Sequence, residues 1–284
     1  MVRFDKEYNK LCRHLLEEGV FIYNERTGKN CLTLPNWVFF HHAEDSFPMI
    51  TTRKCFSRSA MGEIFGYWNG LTNAGGFRKL GAKTWDANAN LNKSWLSNPN
   101  RKGEDDMGEV YGAVGHNFNG IDQFKKVYTD LKDHKDDRGE IITYWKPDVF
   151  NMGCLRPCLH TLQFTSIGGV LNLQATQRSC DVPLGLVFNA VQVKFMLCLM
   201  AKITNHEVGE ITHVVNLPHV YEDQIPMLKE QMKRNPIDCD PTLTIPDRIK
   251  SWEDIESIKT KEDFRDFKIE GYSSHENISF PFSE

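Results

Sequence analysis

The longest apolar run of the sequence, residues 188–203, limits the folds open to this chain more than any other segment does. Gln192 and Lys194 interrupt it, and a membrane-spanning helix needs about 20 predominantly apolar residues. The run therefore predicts a helix that is buried inside a protein core. A chain of 284 residues, 40% of them hydrophobic, can bury one substantial core around such a helix.

The segments that flank this run contain both helical and strand patterns. Residues 4–18 and 57–69 repeat apolar positions at helical spacing, which predicts two amphipathic helices. Strand-like runs at residues 162–167 and 170–174 are separated by a Gly-Gly pair, a sequence typical of a β-hairpin turn. Together these patterns predict the α+β class.

Two further strands are predicted at residues 31–39 and 48–52, which are apolar and bounded by polar residues. The chain then becomes polar, with Asn, Lys, Pro and Gly accumulating from about residue 86 onward. We expect a single domain over residues 1–284, with a small polar lobe inserted at about residues 86–120.

Charge and cysteine content exclude several classes of protein. The formal net charge is −4, whereas nucleic-acid-binding domains usually carry a basic excess. The eight cysteines are scattered without a Cys-x-x-Cys pair, and the N-terminal segment is charged and helical in pattern, unlike a signal peptide. Zinc, P-loop and dinucleotide motifs are absent from the sequence. We expect a cytoplasmic protein without a metal site and without direct contact to nucleic acid or membrane.

The motif around Cys158 and the motifs that follow it contain residue types that are typical of a catalytic site. Residues 156–164 read Arg-Pro-Cys-Leu-His-Thr-Leu-Gln-Phe, and residues 177–181 read Gln-Arg-Ser-Cys-Asp. Asn189 and the sequence His-Val-Tyr at residues 219–221 follow. Arginine and serine side chains can bind an anion, and an asparagine amide can hydrogen-bond to the edge of a nucleobase. A cysteine thiolate can act as a nucleophile. The set predicts a site that holds a nucleoside monophosphate while a cysteine attacks it.

Two residues of this set have alternative interpretations. Addition to carbon 6 of uracil needs a soft nucleophile, and Arg178 would lower the pKa of Cys158 if their strands are neighbours. Alternatively, Cys158 is a buried structural thiol. Asn189 can accept from the ring N–H of uracil and donate to its carbonyl, or it can cap the helix that follows; both roles are compatible.

The order and spacing of these motifs resemble thymidylate synthase and the related pyrimidine-nucleotide hydroxymethylases, from about residue 22 to residue 272. The resemblance implies a thymidylate-synthase-like fold with a large mixed sheet, a long buried helix and a small inserted lobe. It also implies dUMP as substrate, 5,10-methylenetetrahydrofolate as co-substrate, and a homodimer.

The same resemblance implies roles for individual residues. Catalytic roles are expected for Cys158, Glu63, Tyr111 and Arg178. Contacts to dUMP are expected for Arg26, Arg138, Arg178, Ser179, Asn189, His219 and Tyr221. Contacts to folate are expected for Arg53, Trp85, Leu155, Asp181, Gly185 and Tyr272. Glu63 would organise water and relay protons, unless it lies on a solvated helix face, and Arg138 would reach the phosphate of a neighbouring subunit.

Several positions depart from the pattern of the synthases. Leu159 replaces the usual His after the nucleophile, Gly139 replaces a second arginine, and residues 216–218 read Asn-Leu-Pro. The C-terminal segment ends Phe282-Ser283-Glu284 rather than in a small apolar terminus. Because the altered residues cluster where a synthase excludes water, the sequence favours a deoxyuridylate hydroxymethylase, most like the phage type, that yields 5-hydroxymethyl-dUMP.

Three alternatives remain open at this point. The first is a thymidylate synthase that makes dTMP and dihydrofolate on the same scaffold. The second is a cysteine hydrolase that pairs Cys158 with His160 or His219, although no papain-like motif surrounds the cysteine. The third is a nucleotide-binding protein without catalysis.

Overall fold

The computed structural model of the protein describes residues 2–135 and 138–282. The helices are α1 (Arg3–Glu18), α2 (Ser57–Trp68), α3 (Ala74–Lys79), α4 (Asp86–Asn90), α5 (Lys93–Leu96), α6 (Gly112–His116), α7 (Gln123–Lys132), α8 (Val187–Thr204), α9 (Ile225–Gln231) and α10 (Trp252–Glu256). The strands are β1 (Val20–Asn24), β2 (Lys29–Thr33), β3 (Asn36–His41), β4 (Ile141–Thr143), β5 (Leu159–Ile167), β6 (Val170–Gln177), β7 (Cys180–Asp181), β8 (Glu207–Asn216), β9 (Pro218–Tyr221), β10 (Thr242–Thr244) and β11 (Lys268–Glu270).

A five-stranded mixed sheet in the order β3-β8-β6-β5-β4 forms the frame of the protein. Its neighbours pair antiparallel except β6 and β8, which are parallel. The predicted hairpin is confirmed as β5 and β6, joined where Ile167 pairs with Val170. A β-bulge at His160 interrupts this pairing, because Leu159 pairs with Gln177 whereas Thr161 pairs with Thr176. The large mixed sheet and the α+β class are therefore as predicted.

Helix α8 is the buried helix that the apolar run predicts. It packs against α2 on one side and against β6 and β8 on the other. The segment Val182–Thr204 is long and apolar enough to cross a membrane, but 72% of its most apolar window is buried inside the protein, as in a core helix. Gln192 and Lys194 are themselves only 2% and 5% exposed, so the polar interruptions of the run face the interior.

A second, four-stranded sheet in the order β1-β2-β9-β7 brings distant segments together. Strand β9 pairs antiparallel with β2, where His219 lies opposite Thr33, and parallel with β7, where His219 lies opposite Asp181. The turn between β1 and β2 carries Arg26. This sheet therefore gathers Arg26, Asp181 and His219, which are far apart in the sequence.

Two strand predictions were wrong. The run 31–39 is divided into β2 and β3 on either side of Pro35, which has no N–H to donate to a ladder. Residues 48–52 form no strand, because their polar backbone groups bond elsewhere. The Thr51 N–H donates to the Asp5 carboxylate at 3.1 Å, and the Ile50 carbonyl accepts from the Tyr272 hydroxyl at 2.8 Å.

Candidate active site

A cleft of about 1540 Å³ lies beside α2 and α8 and is lined also by residues of α4 and by the C-terminal segment at residues 277–282. Many of the predicted catalytic, dUMP-binding and folate-binding residues line it. These are Arg53, Glu63, Trp85, Tyr111, Leu155, Cys158, Asp181, Gly185 and Asn189. The structure thus brings together residues that lie up to 136 positions apart in the sequence, from Arg53 to Asn189.

Cys158 lies immediately before β5 and next to Arg178, which immediately follows β6. The pairing of Leu159 with Gln177 sets this arrangement, and the Arg178 N–H donates to the Cys158 carbonyl at 2.9 Å. Arg178 Nη2 lies 4.0 Å from Cys158 Sγ. The two strands are therefore neighbours, which is the condition for activation of the thiol by Arg178.

Backbone carbonyls hold the Arg178 guanidinium in place. Its Nε donates to Pro157 O at 2.9 Å and its Nη2 to Arg156 O at 3.1 Å. The Trp145 ring lies 5.7 Å from the guanidinium carbon. Because neutral carbonyls fix the position of this cation without cancelling its charge, its field still acts on the thiol.

Opposing effects act on the Cys158 thiol. Burial raises the pKa of Cys158 above its ordinary value, because a low-dielectric environment favours the neutral form. The cations Arg178 and Arg26 lower this pKa, and the carboxylate of Asp181 raises it. The thiolate therefore depends on the two arginines for its stabilisation.

Glu63 lies on the buried face of α2 and is 6% exposed, so the alternative of a solvated helix face is wrong. Burial raises the pKa of its carboxyl, while hydrogen bonds donated by the hydroxyls of Thr84 and Tyr67 lower it. A carboxyl whose pKa is moved toward neutrality can both accept and release protons at working pH.

Tyr111 connects Glu63 to the nucleophile through aromatic packing. Its ring stacks on that of Tyr67 with centroids 4.7 Å apart, and Tyr67 donates to Glu63. The Tyr111 hydroxyl accepts from the Cys158 N–H at 2.9 Å. The backbone at the nucleophile is thereby tied to the same buried cluster as the carboxyl.

Asn189 is held by two glutamines. Its Oδ1 accepts from Gln177 Nε2 at 2.9 Å, and its Nδ2 donates to Gln192 Oε1 at 2.9 Å. Gln177 Oε1 in turn lies 3.0 Å from His213 Nε2, and burial lowers the pKa of His213 to about 3, so this histidine is neutral. Asn189 is not the helix cap that the alternative required, because α8 begins at Val187 with Leu186 as N-cap.

The His219–Tyr221 pair lies on β9, outside the lining of the cleft. The two rings are 5.2 Å apart, and His219 Nδ1 lies 2.8 Å from Leu217 O, which can only accept. Nδ1 therefore carries the proton. Burial lowers the pKa of His219 and favours the neutral ring, whose Nε2 is an acceptor.

The remaining predicted residues lie outside the lining of the cleft. Arg26 is exposed in the β1–β2 turn, and Ser179 is partly buried, with its carbonyl accepting from Gln177 Nε2 at 3.1 Å. Arg138 is exposed with φ 59° and does not line the cleft. Tyr272 also lies outside the lining, where its hydroxyl accepts from the Cys55 N–H at 3.0 Å and donates to Ile50 O.

Sequence reasoning missed several residues that complete the site. Gln192 was identified only as a polar residue that interrupts an apolar run. A polar residue in such a run, three positions after Asn189, was the available signal for a buried amide beside it. Tyr67 lies one helical turn after Glu63, a spacing that was the available signal. Thr84 and Gln224 carry no signal of their own, because the carboxylates that they contact are distant in the chain. The contacts of Gln177 with Asn189 and of Phe280 with Arg53 were not predicted either, although Gln177 belongs to the motif at residues 177–181.

Replacing Arg178 by Met should raise the pKa of Cys158 further, because the nearest cation is lost. Labelling of Cys158 by iodoacetamide, followed by peptide mass spectrometry, should then be about tenfold slower at pH 7 per pKa unit gained. The Arg156→Met variant is the control, since the Arg156 guanidinium packs on the Phe150 ring instead, 5.2 Å from its centroid. A pH profile of labelling that is the same in both variants would contradict the role of Arg178.

The comparisons with known proteins agree on one family. The family profile described as thymidylate synthase matches residues 6–284. The thymidylate synthase of Colwellia psychrerythraea is 50% identical over 285 residues, which cover 98% of this chain and 99% of the relative. Those of Aliivibrio fischeri and Shewanella loihica are 49% and 50% identical with the same coverage.

The prediction of a phage-type deoxyuridylate hydroxymethylase is wrong. Relatives that match over the full chain at about half identity carry the name thymidylate synthase. Among the altered positions, Leu159 is 4% exposed in the lining of the cleft, and Phe280 and Phe282 of the C-terminal segment line it too. Ser283 and Glu284 lie outside the described residues.

The fold, the cleft around Cys158 and the full-length similarity lead to one assignment. The matched residues include every predicted site position, from Arg26 to Tyr272. The chain belongs to the thymidylate synthase family and is a folate-dependent one-carbon transferase that uses 5,10-methylenetetrahydrofolate as co-substrate.

Proposed function

We propose that this protein is a thymidylate synthase, which converts dUMP and 5,10-methylenetetrahydrofolate into dTMP and dihydrofolate. The observation that carries the proposal is the identity of about 50% to synthases along 98% of the chain. The apolar side chains in the lining of the cleft support it, among them Leu159, Phe280 and Phe282, because a methylene intermediate must be kept from water until hydride arrives.

Cys158 is the proposed nucleophile. Its thiolate adds to carbon 6 of the uracil ring, so that carbon 5 becomes nucleophilic and attacks the methylene carbon of the co-substrate. The position of Arg178 Nη2 at 4.0 Å from Sγ supports this role, because the cation favours the thiolate over the thiol. Glu63 and Tyr111 would move protons and order water beside the ring, and the raised pKa of Glu63 suits that task.

Asn189 is proposed to recognise the base. Gln177 and Gln192 each occupy one side of its amide, which leaves one N–H and one lone pair for a ligand. Uracil offers the complementary carbonyl and ring N–H. Cytosine offers an amino group and an unprotonated ring nitrogen, and the glutamines oppose the rotation of the amide that would be needed to match them. The site should therefore prefer dUMP to dCMP.

The rest of the nucleotide would be bound by the residues around the cleft. Arg26, Arg178 and Ser179 suit the 5′-phosphate, because guanidinium groups bind phosphate through paired charged hydrogen bonds. The unprotonated Nε2 of His219 and the hydroxyl of Tyr221 suit the 3′-hydroxyl of deoxyribose. In the homodimer that we propose, Arg138 of the partner subunit adds a further phosphate contact.

The folate would lie between α4 and the segment that begins at Asp181. Trp85, Leu155 and Gly185 supply an apolar wall, and Asp181 supplies an acceptor for the N–H groups of a pterin. Arg53 lies under the Phe280 ring at 5.3 Å, where it can meet the acidic end of the co-substrate. Tyr272 would act through Arg53, since its hydroxyl lies 3.3 Å from the Arg53 carbonyl.

Product analysis tests the proposed reaction directly. Incubation with dUMP and methylenetetrahydrofolate should give dTMP and dihydrofolate in equal amounts, with dihydrofolate followed by its absorbance and the nucleotide by chromatography. Cys158→Ser is the matched control and should abolish turnover, because an alcohol is a far weaker nucleophile than a thiolate toward this ring. Tetrahydrofolate as the co-product, or turnover that survives in the control, would refute the proposal.

The base preference makes a second test. Asn189→Asp should reduce kcat/KM for dUMP and raise kcat/KM for dCMP relative to that for dUMP, because a protonated carboxyl can pair with cytosine. Loss of one complementary buried pair is expected to cost about 1–3 kcal/mol, or about five- to 150-fold. Equal turnover of dUMP and dCMP by the unaltered protein would remove Asn189 from base recognition.

The homodimer makes a third test. Cys158→Ala and Arg138→Ala chains should each be inactive or nearly so, and mixing them should restore activity, because a hybrid dimer contains one intact site. Sedimentation of the active sample should give the mass of a dimer. Full activity in a sample that is monomeric throughout would contradict the contribution of Arg138 of the partner subunit.

A further inference from the structure

Gln224 lies between β9 and α9 and is fully buried. Its side-chain amide takes part in three hydrogen bonds. Its Oε1 accepts from the Tyr221 N–H at 3.1 Å. Its Nε2 donates to Asp181 Oδ2 at 2.9 Å and to the Pro281 carbonyl at 3.0 Å. Both amide hydrogens therefore have an acceptor, and the two acceptors belong to different segments of the chain.

The first acceptor is the carboxylate that lines the cleft. Asp181 Oδ1 accepts from the Leu184 N–H at 3.1 Å, so the Gln224 amide occupies the other oxygen. Burial raises the pKa of Asp181, and the hydrogen bond from Gln224 is the largest effect that lowers it. Gln224 therefore fixes the orientation of this side chain and also favours its charged form.

The second acceptor belongs to the C-terminal segment, residues 277–282, which lines the cleft except at Pro281. The base of this segment is held by Arg234, whose Nη1 donates to Glu276 O at 2.6 Å. Beyond that point, the Phe280 ring packs on the Arg53 guanidinium. Among the described residues, the bond from Gln224 to Pro281 is the only hydrogen bond that this segment receives.

We propose that Gln224 is a positioning residue that couples the closure of the C-terminal segment over the cleft to the orientation of Asp181. The coupling rests on the proposed function, in which Asp181 meets the folate. When the segment lies over the cleft, both amide hydrogens are engaged and the amide cannot rotate. When the segment leaves, one hydrogen loses its acceptor, and the amide that orients the carboxylate is released.

The first experiment measures the segment without any substrate. Gln224→Met keeps the length of the side chain but removes its donors and acceptor. Chymotryptic cleavage after Phe282, followed by intact mass, should be about tenfold faster in this variant, which is the factor expected for one lost hydrogen bond of about 1.4 kcal/mol. An unchanged cleavage rate would overturn the coupling.

Gln123→Met is the matched control, because Gln123 is also a buried amide with three hydrogen bonds. Its Nε2 donates to Val114 O at 3.2 Å and to Thr143 O at 3.0 Å, and its Oε1 accepts from the Thr143 N–H at 2.8 Å. This residue does not line the cleft. It should lose similar stability with no change in cleavage after Phe282, so a faster cleavage in both variants would also overturn the coupling.

The second experiment uses turnover. In Gln224→Met the KM for methylenetetrahydrofolate should rise about tenfold and clearly more than the KM for dUMP, because both lost donors serve the folate side and only the lost acceptor of the Tyr221 N–H lies on the dUMP side. In a chain truncated after Phe280, which lacks the Pro281 carbonyl, the Gln224→Met substitution should have a smaller additional effect. Additive effects, or equal increases in both KM values, would contradict the coupling.

The two experiments separate the coupling from the proposed function. Proteolysis needs no turnover, so a protein that releases its C-terminal segment but makes no dTMP would refute the function and leave the coupling intact. A synthase in which Gln224→Met changes neither the cleavage rate after Phe282 nor the KM for methylenetetrahydrofolate would refute the coupling and leave the function intact. If Gln224→Met fails to fold, Gln224→Glu keeps the acceptor for Tyr221 but has at most one donor, so it should still speed cleavage after Phe282 or raise the KM for methylenetetrahydrofolate; a variant that does neither would overturn the coupling.

Discussion

The antiparallel pairing of β5 with β6 is the interaction on which the site depends. It places Cys158 and Arg178 at the same end of the hairpin, and the bond from the Arg178 N–H to the Cys158 carbonyl closes that end. No other contact brings a cation within 4.0 Å of the thiol among the described residues. Because backbone hydrogen bonds fix the two residues relative to each other and backbone carbonyls hold the Arg178 guanidinium, the sheet places the nearest cation beside the thiol.

Buried polar groups give the site its second level of organisation. Asn189, Gln177 and Gln192 bond to one another inside the protein, where an unsatisfied amide is costly. Glu63 has a similar position among the hydroxyls of Thr84 and Tyr67. In each case the supporting residues hydrogen-bond to the functional group, and they restrict it to one orientation before any substrate arrives.

Local patterns in the sequence were sufficient for part of this architecture. The Gly-Gly pair predicted the hairpin and the apolar run predicted α8, since each depends on neighbouring residues. The motif around Cys158 and its resemblance to a family indicated the nucleophile, Arg178 and Asn189, which the structure brings to one cleft or its edge.

Non-local contacts explain what the sequence did not reveal. Gln224 contacts residues 43 and 57 positions away, and no local pattern marks such a residue. Pro35 did indicate the break between β2 and β3, and the prediction overlooked it. The reaction outcome was also misjudged, because the replacement of a motif residue such as His by Leu159 says nothing about how well the new side chain is packed.

The bulge at His160 has a consequence for how this protein can change over time. One extra residue in β5 turns Leu159 toward the cleft, since side chains in a regular strand alternate between the two faces of the sheet. Substitutions at His160 leave that alternation intact, whereas loss of the residue would reverse it for everything before it, including Cys158. Position 160 can therefore carry different residues from one descendant to the next. The number of residues between Cys158 and the rest of β5 is fixed, because it sets the direction of the Cys158 side chain.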